Sequence, residues 1–290
     1  MTSWSGRNRD TLRFSGTNGS GTRRGACETL SPTTCVCDAA PAAVATPVAV
    51  GPLIYRYTPQ VVPVALIIPA LDEEHAIGAL LSSIDRTLVR DVIVGDNGSR
   101  DATGTVAARA GATVVRVEER GYGAACAGAL SKIADDVDIV LFMDADGSDD
   151  PAEAGLVLAP IEAGQADLVI GSRALGVVER GALTPQQRFG NRLATFLIRL
   201  IYGHRYTDLG PFRAIRRELL DRIGMQDRRF GWTVEMQIRA LQLGARVAEV
   251  PVKYRRRVGR SKISGTVTGV IKAGWWIVYT IIKCRLRPNR

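Results

Sequence analysis

Apolar residues along this chain come in short continuous runs, spaced roughly 25–30 residues apart, with polar turns and helix-like segments between them. The first run, residues 64–69, is apolar throughout and ends in Pro69, which predicts a strand buried on both faces. Asp72-Glu-Glu74 then opens a helix towards Leu88, because acids in a first turn suit the helix dipole. Runs at 91–95, 113–117, 138–143 and 167–170 predict four further strands. Helices are expected over 101–110 and from Gly121 to about Ala134. This alternation predicts an α/β fold with a mostly parallel sheet flanked by helices. Ligands of such sheets bind beyond the carboxyl ends of the strands. The loops after Pro69, Gly95, Val117, Met143 and Ile170 are therefore the ones to read for chemistry.

After residue 171 the pattern loosens. A helix over 186–202 carries Phe189, Leu193, Phe196, Leu197 and Leu200 on one face. A helix over 232–243, a strand over 246–251 and a last helix over about 264–283 follow. Residues 1–60 are rich in Ser, Thr, Gly and Arg, then in Ala, Pro and Val, and read as a disordered extension. A folded domain is expected over 61–262 and a basic amphipathic helix with its tail over 263–290.

Charge sharpens this division. The 290 residues hold 38 Lys and Arg against 29 Asp and Glu, a formal charge of +9. A balance of this size points to an anionic partner: nucleic acid, a phospholipid surface or a phosphorylated substrate. Residues 61–250 carry 21 basic and 26 acidic side chains, whereas residues 251–290 carry eleven basic and none acidic. The body is thus acidic and the tail basic, which moves nucleic acid to last place; no nucleic-acid partner is expected. The five cysteines are odd in number and scattered, so they form no disulfide framework and favour a reducing compartment. Cys27, Cys35 and Cys37 lack a neighbouring His and are not read as a metal site. The N-terminus has no apolar core of a signal peptide, and no stretch of about 18 apolar residues predicts a transmembrane helix.

Asp144-Ala-Asp146 directly follows a predicted strand. Two carboxylates so placed can both turn into the crevice, where repulsion is costly unless a cation joins them; alternatively they are solvated turn acids. Asp96-Asn-Gly-Ser99 also follows a strand, either as a ligand-directed Asp or as a helix-capping turn. Glu73 in Pro69-Ala-Leu-Asp-Glu73 stands at a ligand or merely charges a helix start. No Gly-x-x-x-x-Gly-Lys loop, dinucleotide fingerprint or Gly-x-Ser-x-Gly elbow exists, and two His are too few for a His-based centre.

Taken in order, Ile68-Pro-Ala-Leu-Asp-Glu73, Val94-Gly-Asp-Asn-Gly-Ser-Arg-Asp101, Met143-Asp-Ala-Asp-Gly147 and Gly171-Ser-Arg173 resemble the successive motifs of family 2 glycosyltransferases. Asp208-Leu-Gly-Pro-Phe-Arg213, Glu235, Glu249-Val-Pro-Val252 and Arg257-Val-Gly-Arg-Ser-Lys262 resemble the polyprenyl-phosphate and dolichyl-phosphate sugar synthases in particular. The resemblance implies a nucleotide-sugar fold of the GT-A type and hexose transfer with inversion from a UDP-sugar or GDP-mannose to a polyprenyl phosphate. It implies that Pro69, Leu71 and Glu73 line the base and ribose site, with Asp96 and Asn97 at the base edge. The Gly121-Tyr-Gly123 turn stands where a Gly-Lys-Gly turn is frequent, with Gly123 against the donor. Asp144 and Asp146 would hold Mg²⁺ or Mn²⁺ on the diphosphate. Arg173 would face diphosphate or acceptor, and Arg213, Arg257 and Lys262 would serve substrate binding. A sugar hydroxyl acceptor would need a base, for which Asp208 and Glu235 are the candidates, whereas an ionised lipid phosphate would not. Ser148 stands where many synthases place a metal-contacting Gln, which leaves a third protein ligand open.

From Ile263 to Ile282 apolar residues recur at helical spacing, joined by Trp275, Trp276 and Tyr279 and followed by Lys283, Arg285, Arg287 and Arg290. Such a helix suits an anionic bilayer surface, with its rings at headgroup level; the other reading docks it on the protein's own core. The first predicts a peripheral enzyme at the inner, cytoplasmic face of a membrane. Rival activities are transfer to a soluble or saccharide acceptor and, less in keeping with the motifs, nucleotidyl transfer.

Overall fold

The computed structural model describes residues 62–259 and 267–287. The proposed extension over 1–60 lies outside them, as do Lys262, Arg290 and the start of the last helix.

Seven strands form one sheet: β1 (Val64–Ala70), β2 (Asp91–Asp96), β3 (Thr113–Arg116), β4 (Ile139–Phe142), β5 (Leu168–Ser172), β6 (Arg213–Arg216) and β7 (Val247–Pro251). Their order is β3-β2-β1-β4-β6-β5-β7. All pairs are parallel except those of β6, which runs antiparallel between β4 and β5. This antiparallel strand, absent from the pattern of apolar runs, has a consequence for the site. The loop entering β6 lies at the same sheet edge as the loops leaving β4 and β5.

Eight helices accompany the strands among the described residues: α1 (Glu74–Ser82), α2 (Thr103–Arg109), α3 (Tyr122–Leu130), α4 (Ala154–Glu162), α5 (Pro185–Tyr202), α6 (Arg217–Ile223), α7 (Trp232–Gln242) and α8 (Val267–Leu286). Alternate strand residues feed two cores. Leu66, Ile68, Val94 and Leu141 pack with α1, α2 and α4 on one face. Ala65, Ile67, Ile93, Val140 and Phe142 pack with residues of α3, α5, α6, α7 and α8 on the other. Both faces being covered explains why the strands read as continuous apolar runs rather than alternating ones.

Helix α1 ends at Ser82, well short of Leu88. The Ser83 amide closes on the Leu80 carbonyl, and Asp85 then accepts from the Thr87 amide in a local turn that competes with helix. Helix α5 starts where its cap dictates. Thr184 and Gln187 form a reciprocal capping box around Pro185, and Gly203 ends the helix in the left-handed region. No helix among the described residues is long and apolar enough to cross a membrane.

Candidate active site

The loops leaving β1 and β2 are built as one unit. The Asp72 amide donates to Ser99 Oγ (3.0 Å) and the Arg100 amide to Asp72 Oδ1 (2.7 Å). The Glu73 amide donates to Thr103 Oγ1 (2.7 Å), and the Ala102 amide to Glu74 (2.9 Å). Asp72 reaches this geometry at a left-handed φ of 51°. The two motifs thus supply each other's missing hydrogen-bond partners. Asn97 extends the stitching, donating to the Glu119 carbonyl (2.6 Å) and accepting from the Gly121 amide (2.8 Å).

Beyond these strand ends lies a cavity of about 390 Å³. Pro69, Leu71 and Glu73 line it from β1, Asn97 from β2, Arg120 and Tyr122 from the approach to α3, and Asp144 and Asp146 from β4. Arg229 and Phe230, in the loop between α6 and α7, and Arg257 complete the wall.

The carboxylates after β4 are the most costly feature of this wall. Burial, and then the charge of Asp146, raise the Asp144 carboxyl to about 7. Burial and the neighbouring Asp144 also raise Asp149 well above the usual carboxylate range. Asp149 accepts from the Asp144 amide through Oδ2, while its buried Oδ1 has no hydrogen-bond partner among the described residues. Arg257 pairs with this cluster directly, its Nη2 3.2 Å from Asp146 and 3.1 Å from Glu73, and the charge of Arg173 acts on Asp144 and Asp149 from farther off. The chain carrying Arg257 is held down by the Arg255 amide on the Ser148 carbonyl and the Val258 amide on the Asp146 carbonyl. Tyr122 donates to Asp144 at 3.1 Å, and burial pushes its phenol up, so it remains a donor at neutral pH. Hard carboxylate oxygens with unmet demand for positive charge fit Mg²⁺ or Mn²⁺. Asp144 and Asp146 are the residues that could hold it.

Other expected residues lie elsewhere. Asp96 is buried in its turn, where Oδ2 takes Arg116 (2.9 Å) and Oδ1 the Ser99 amide (2.8 Å); it is not on the cavity wall. Gly123 lies behind the wall, where a Cβ would run into the Asp227 carbonyl. Arg173 and Asp208 form a bidentate pair at 2.7 Å on both arms, and the guanidinium lies over the Tyr254 ring, 5.0 Å from its centre. Asp208 reaches Arg173 because β6 is antiparallel, and Glu249 of β7 accepts from its amide (3.1 Å). Arg213, the first residue of β6, is buried and donates to the carbonyls of Thr233 and Gly210. Glu235 is also buried. It pairs with Arg239 (2.8 Å) and accepts from the amides of Gln226 (3.0 Å) and Asp227 (2.6 Å). The structure therefore brings Pro69, Leu71, Glu73, Asn97, Asp144, Asp146 and Arg257 together, and keeps Asp96, Gly123, Arg173, Asp208, Arg213 and Glu235 off the wall.

Sequence reasoning missed Arg120, Arg229 and Phe230. Arg120 adjoins the glycine turn already singled out. Arg229 and Phe230 sit in a loop with no strand end before it, so no rule about strand ends could find them.

A mostly parallel sheet with an acidic pair after its fourth strand, lining a cavity beyond the strand ends, is the GT-A design of nucleotide-sugar transferases. The chain belongs to the glycosyl transferase family 2, whose family model matches residues 65–224. It is 35% identical over 230 residues to a dolichyl-phosphate hexose transferase of Haloferax volcanii, covering 77% of this chain and 96% of that one. It is 30% identical over 219 residues to an undecaprenyl-phosphate mannosyltransferase of Micrococcus luteus, covering 71% and 89%. In fold it is similar to glucosyl-3-phosphoglycerate synthase of Mycobacterium tuberculosis, solved with Mn²⁺, UDP and phosphoglyceric acid. There the TM-score is 0.62, the identity 23% and the coverage 78% of this chain and 80% of the other. The protein is a glycosyltransferase.

Proposed function

We propose that this enzyme is a metal-dependent, inverting transferase that moves a hexose from a UDP-sugar or GDP-mannose to a polyprenyl phosphate. The observation that carries this reading is the state of its two candidate bases. Asp208 is closed by Arg173, and Glu235 by Arg239 and two amides. Neither can take a proton from a sugar hydroxyl without losing a buried ion pair. A phosphate monoester needs no such base, since its second pKa of about 6 leaves it ionised at neutral pH. The names of the Haloferax and Micrococcus relatives, both lipid-phosphate transferases, support the same acceptor.

In this reading Pro69, Leu71, Glu73 and Asn97 bind the nucleoside, with Arg120 and Arg229 supplying positive charge at the rim. A divalent cation held by Asp144 and Asp146 would neutralise charge developing on the departing diphosphate. Arg257 holds Glu73 and Asp146 apart from each other's repulsion and is available to phosphate once the acidic pair is otherwise neutralised. An acceptor phosphate oxygen forms the new bond to the anomeric carbon as the bond to the donor's β-phosphate oxygen breaks. The nucleoside diphosphate leaves, and no proton has to move. Lys262 would meet phosphate from the tail, and the basic C-terminal helix α8 would keep the enzyme at the inner membrane face.

The test offers the full chain a panel of nucleotide sugars with Mn²⁺ and either polyprenyl phosphate or 3-phosphoglycerate. A glycolipid identified by mass is expected. Product on the soluble acceptor alone would replace this reading with transfer to a soluble phosphate, and release of pyrophosphate would replace it with nucleotidyl transfer.

A further inference from the structure

Helix α5 has an amphipathic sequence, yet it presents its large apolar side chains outward. Phe189, Leu193, Phe196 and Leu200 recur at spacings of four, three and four and are exposed, while Ala194 and Ile198 face the core. Helix α8, which packs on α5 and receives a hydrogen bond from Tyr202 at the Ile281 carbonyl (2.7 Å), repeats the pattern. Trp275, Tyr279, Ile282 and Leu286 face outward at the same spacing, whereas Ile281 and Cys284 are buried. These eight side chains are 40–76% exposed. Single exposed apolar residues are ordinary, but two such stripes on adjoining helices are not.

We propose that α5 and α8 together form a docking face for an anionic phospholipid bilayer, with α5 supplying half of it. The charges beside the stripes select this occupant. Arg188, Arg192 and Arg199 are exposed along α5, and Arg285 and Arg287 at the end of α8, and neither helix holds a single Asp or Glu. A second copy of this chain is disfavoured, because a two-fold interface sets the same patch against itself and would bring arginine rows together. A surface of phosphate headgroups over hydrocarbon meets both demands, taking the rings and aliphatic groups into the interface and the guanidinium groups at the phosphates.

The test is co-sedimentation of the full chain with 1:1 phosphatidylglycerol–phosphatidylcholine vesicles that contain no polyprenyl phosphate. The outcome is therefore independent of the acceptor reading: a chain that binds these vesicles but makes no glycolipid in the acceptor panel sinks the acceptor and leaves the face. Binding is expected, weaker by about tenfold or more on pure phosphatidylcholine. F189S/F196S/L200S and R188Q/R192Q/R199Q should each weaken it by about tenfold or more, with thermal midpoint and turnover on detergent-dispersed acceptor unchanged. Absence of binding by the unmodified chain, or binding that survives both sets of α5 substitutions, would overturn the proposal. So would a dimer in sedimentation equilibrium that F189S/F196S/L200S dissolves while vesicles remain unbound.

Discussion

Replacing Glu235 by Gln should unlock a wall of the active site without touching the chemistry. The carboxylate accepts on both oxygens, from Arg239 on Oε1 and from the amides of Gln226 and Asp227 on Oε2. An amide side chain has one acceptor, so its NH₂ must face a donor, and Arg239 loses its counter-charge. The pair is 1% and 4% exposed, which makes water a poor substitute. Breaking such a pair on one side costs about 3–5 kcal/mol, or about 6–20 °C in Tm for a domain of this size. The loop that Glu235 holds continues to Arg229 and Phe230, and its Arg229 and Arg228 carbonyls accept from the amides of Gly123 and Ala124 in the first turn of α3. Assayed well below its melting point, E235Q should therefore show a donor KM raised about tenfold and kcat within about threefold. The double variant E235L/R239L removes both charges but leaves the amides of Gln226 and Asp227 without their acceptor, so it should recover only part of the lost Tm. The reasoning is refuted by an E235Q protein that melts like the unmodified chain yet loses kcat by about 10²–10⁴ at unchanged KM, the mark of a general base.

Three further substitutions probe the rest. D146N should cut turnover about 10²–10³-fold and abolish Mn²⁺ binding followed by electron paramagnetic resonance, and full turnover would remove the carboxylate pair from the mechanism. Hydrogen bonds from the Arg246 side chain hold the Asp167 carboxyl at about 2, below its usual 3.8, so its stabilisation is complete above pH 4 and lost as pH falls through 2. D167N should accordingly cost roughly 1–2 kcal/mol at pH 7, discounted for the exposed Arg246, and the Tm gap between the two proteins should narrow below pH 4 and close as pH falls through 2; a gap independent of pH would contradict this. G123A drives a Cβ into the Asp227 carbonyl and to 2.9 Å from the Trp232 ring. It should cost about 1–3 kcal/mol in urea unfolding and weaken nucleotide binding by calorimetry, and native stability would show that the loop yields freely.

Much of the fold was legible because buried parallel strands leave an unmistakable trace. β1, β2, β4 and β5 are apolar runs, such as 64–69, that no half-exposed strand would carry, whereas β3 is half-exposed. β6 (Arg213–Arg216) left none, since two of its four residues are arginines whose charges are met by carbonyls contributed from elsewhere in the fold. Position at strand ends marked Asp144, Asp146 and Glu73 as candidates beside the reading of solvated turn acids, and the family resemblance gave them and Asn97 their expected roles. The same rule placed Asp96 at a strand end, but the Arg116 opposite it on β3 takes up its charge.

The sequence by itself determined the alternation of strands and helices, the crevice beyond the strand ends and the acidic residues that stand there, because these follow from burial and from spacing along one chain. Only the tertiary structure decided which charged groups are spent on each other. Arg173 meets Asp208 across 35 residues, and Arg257 reaches Glu73 across 184. It also decided that the apolar stripe of α5 faces outward, since hydrophobic periodicity marks a face without saying which side the rest of the chain will cover.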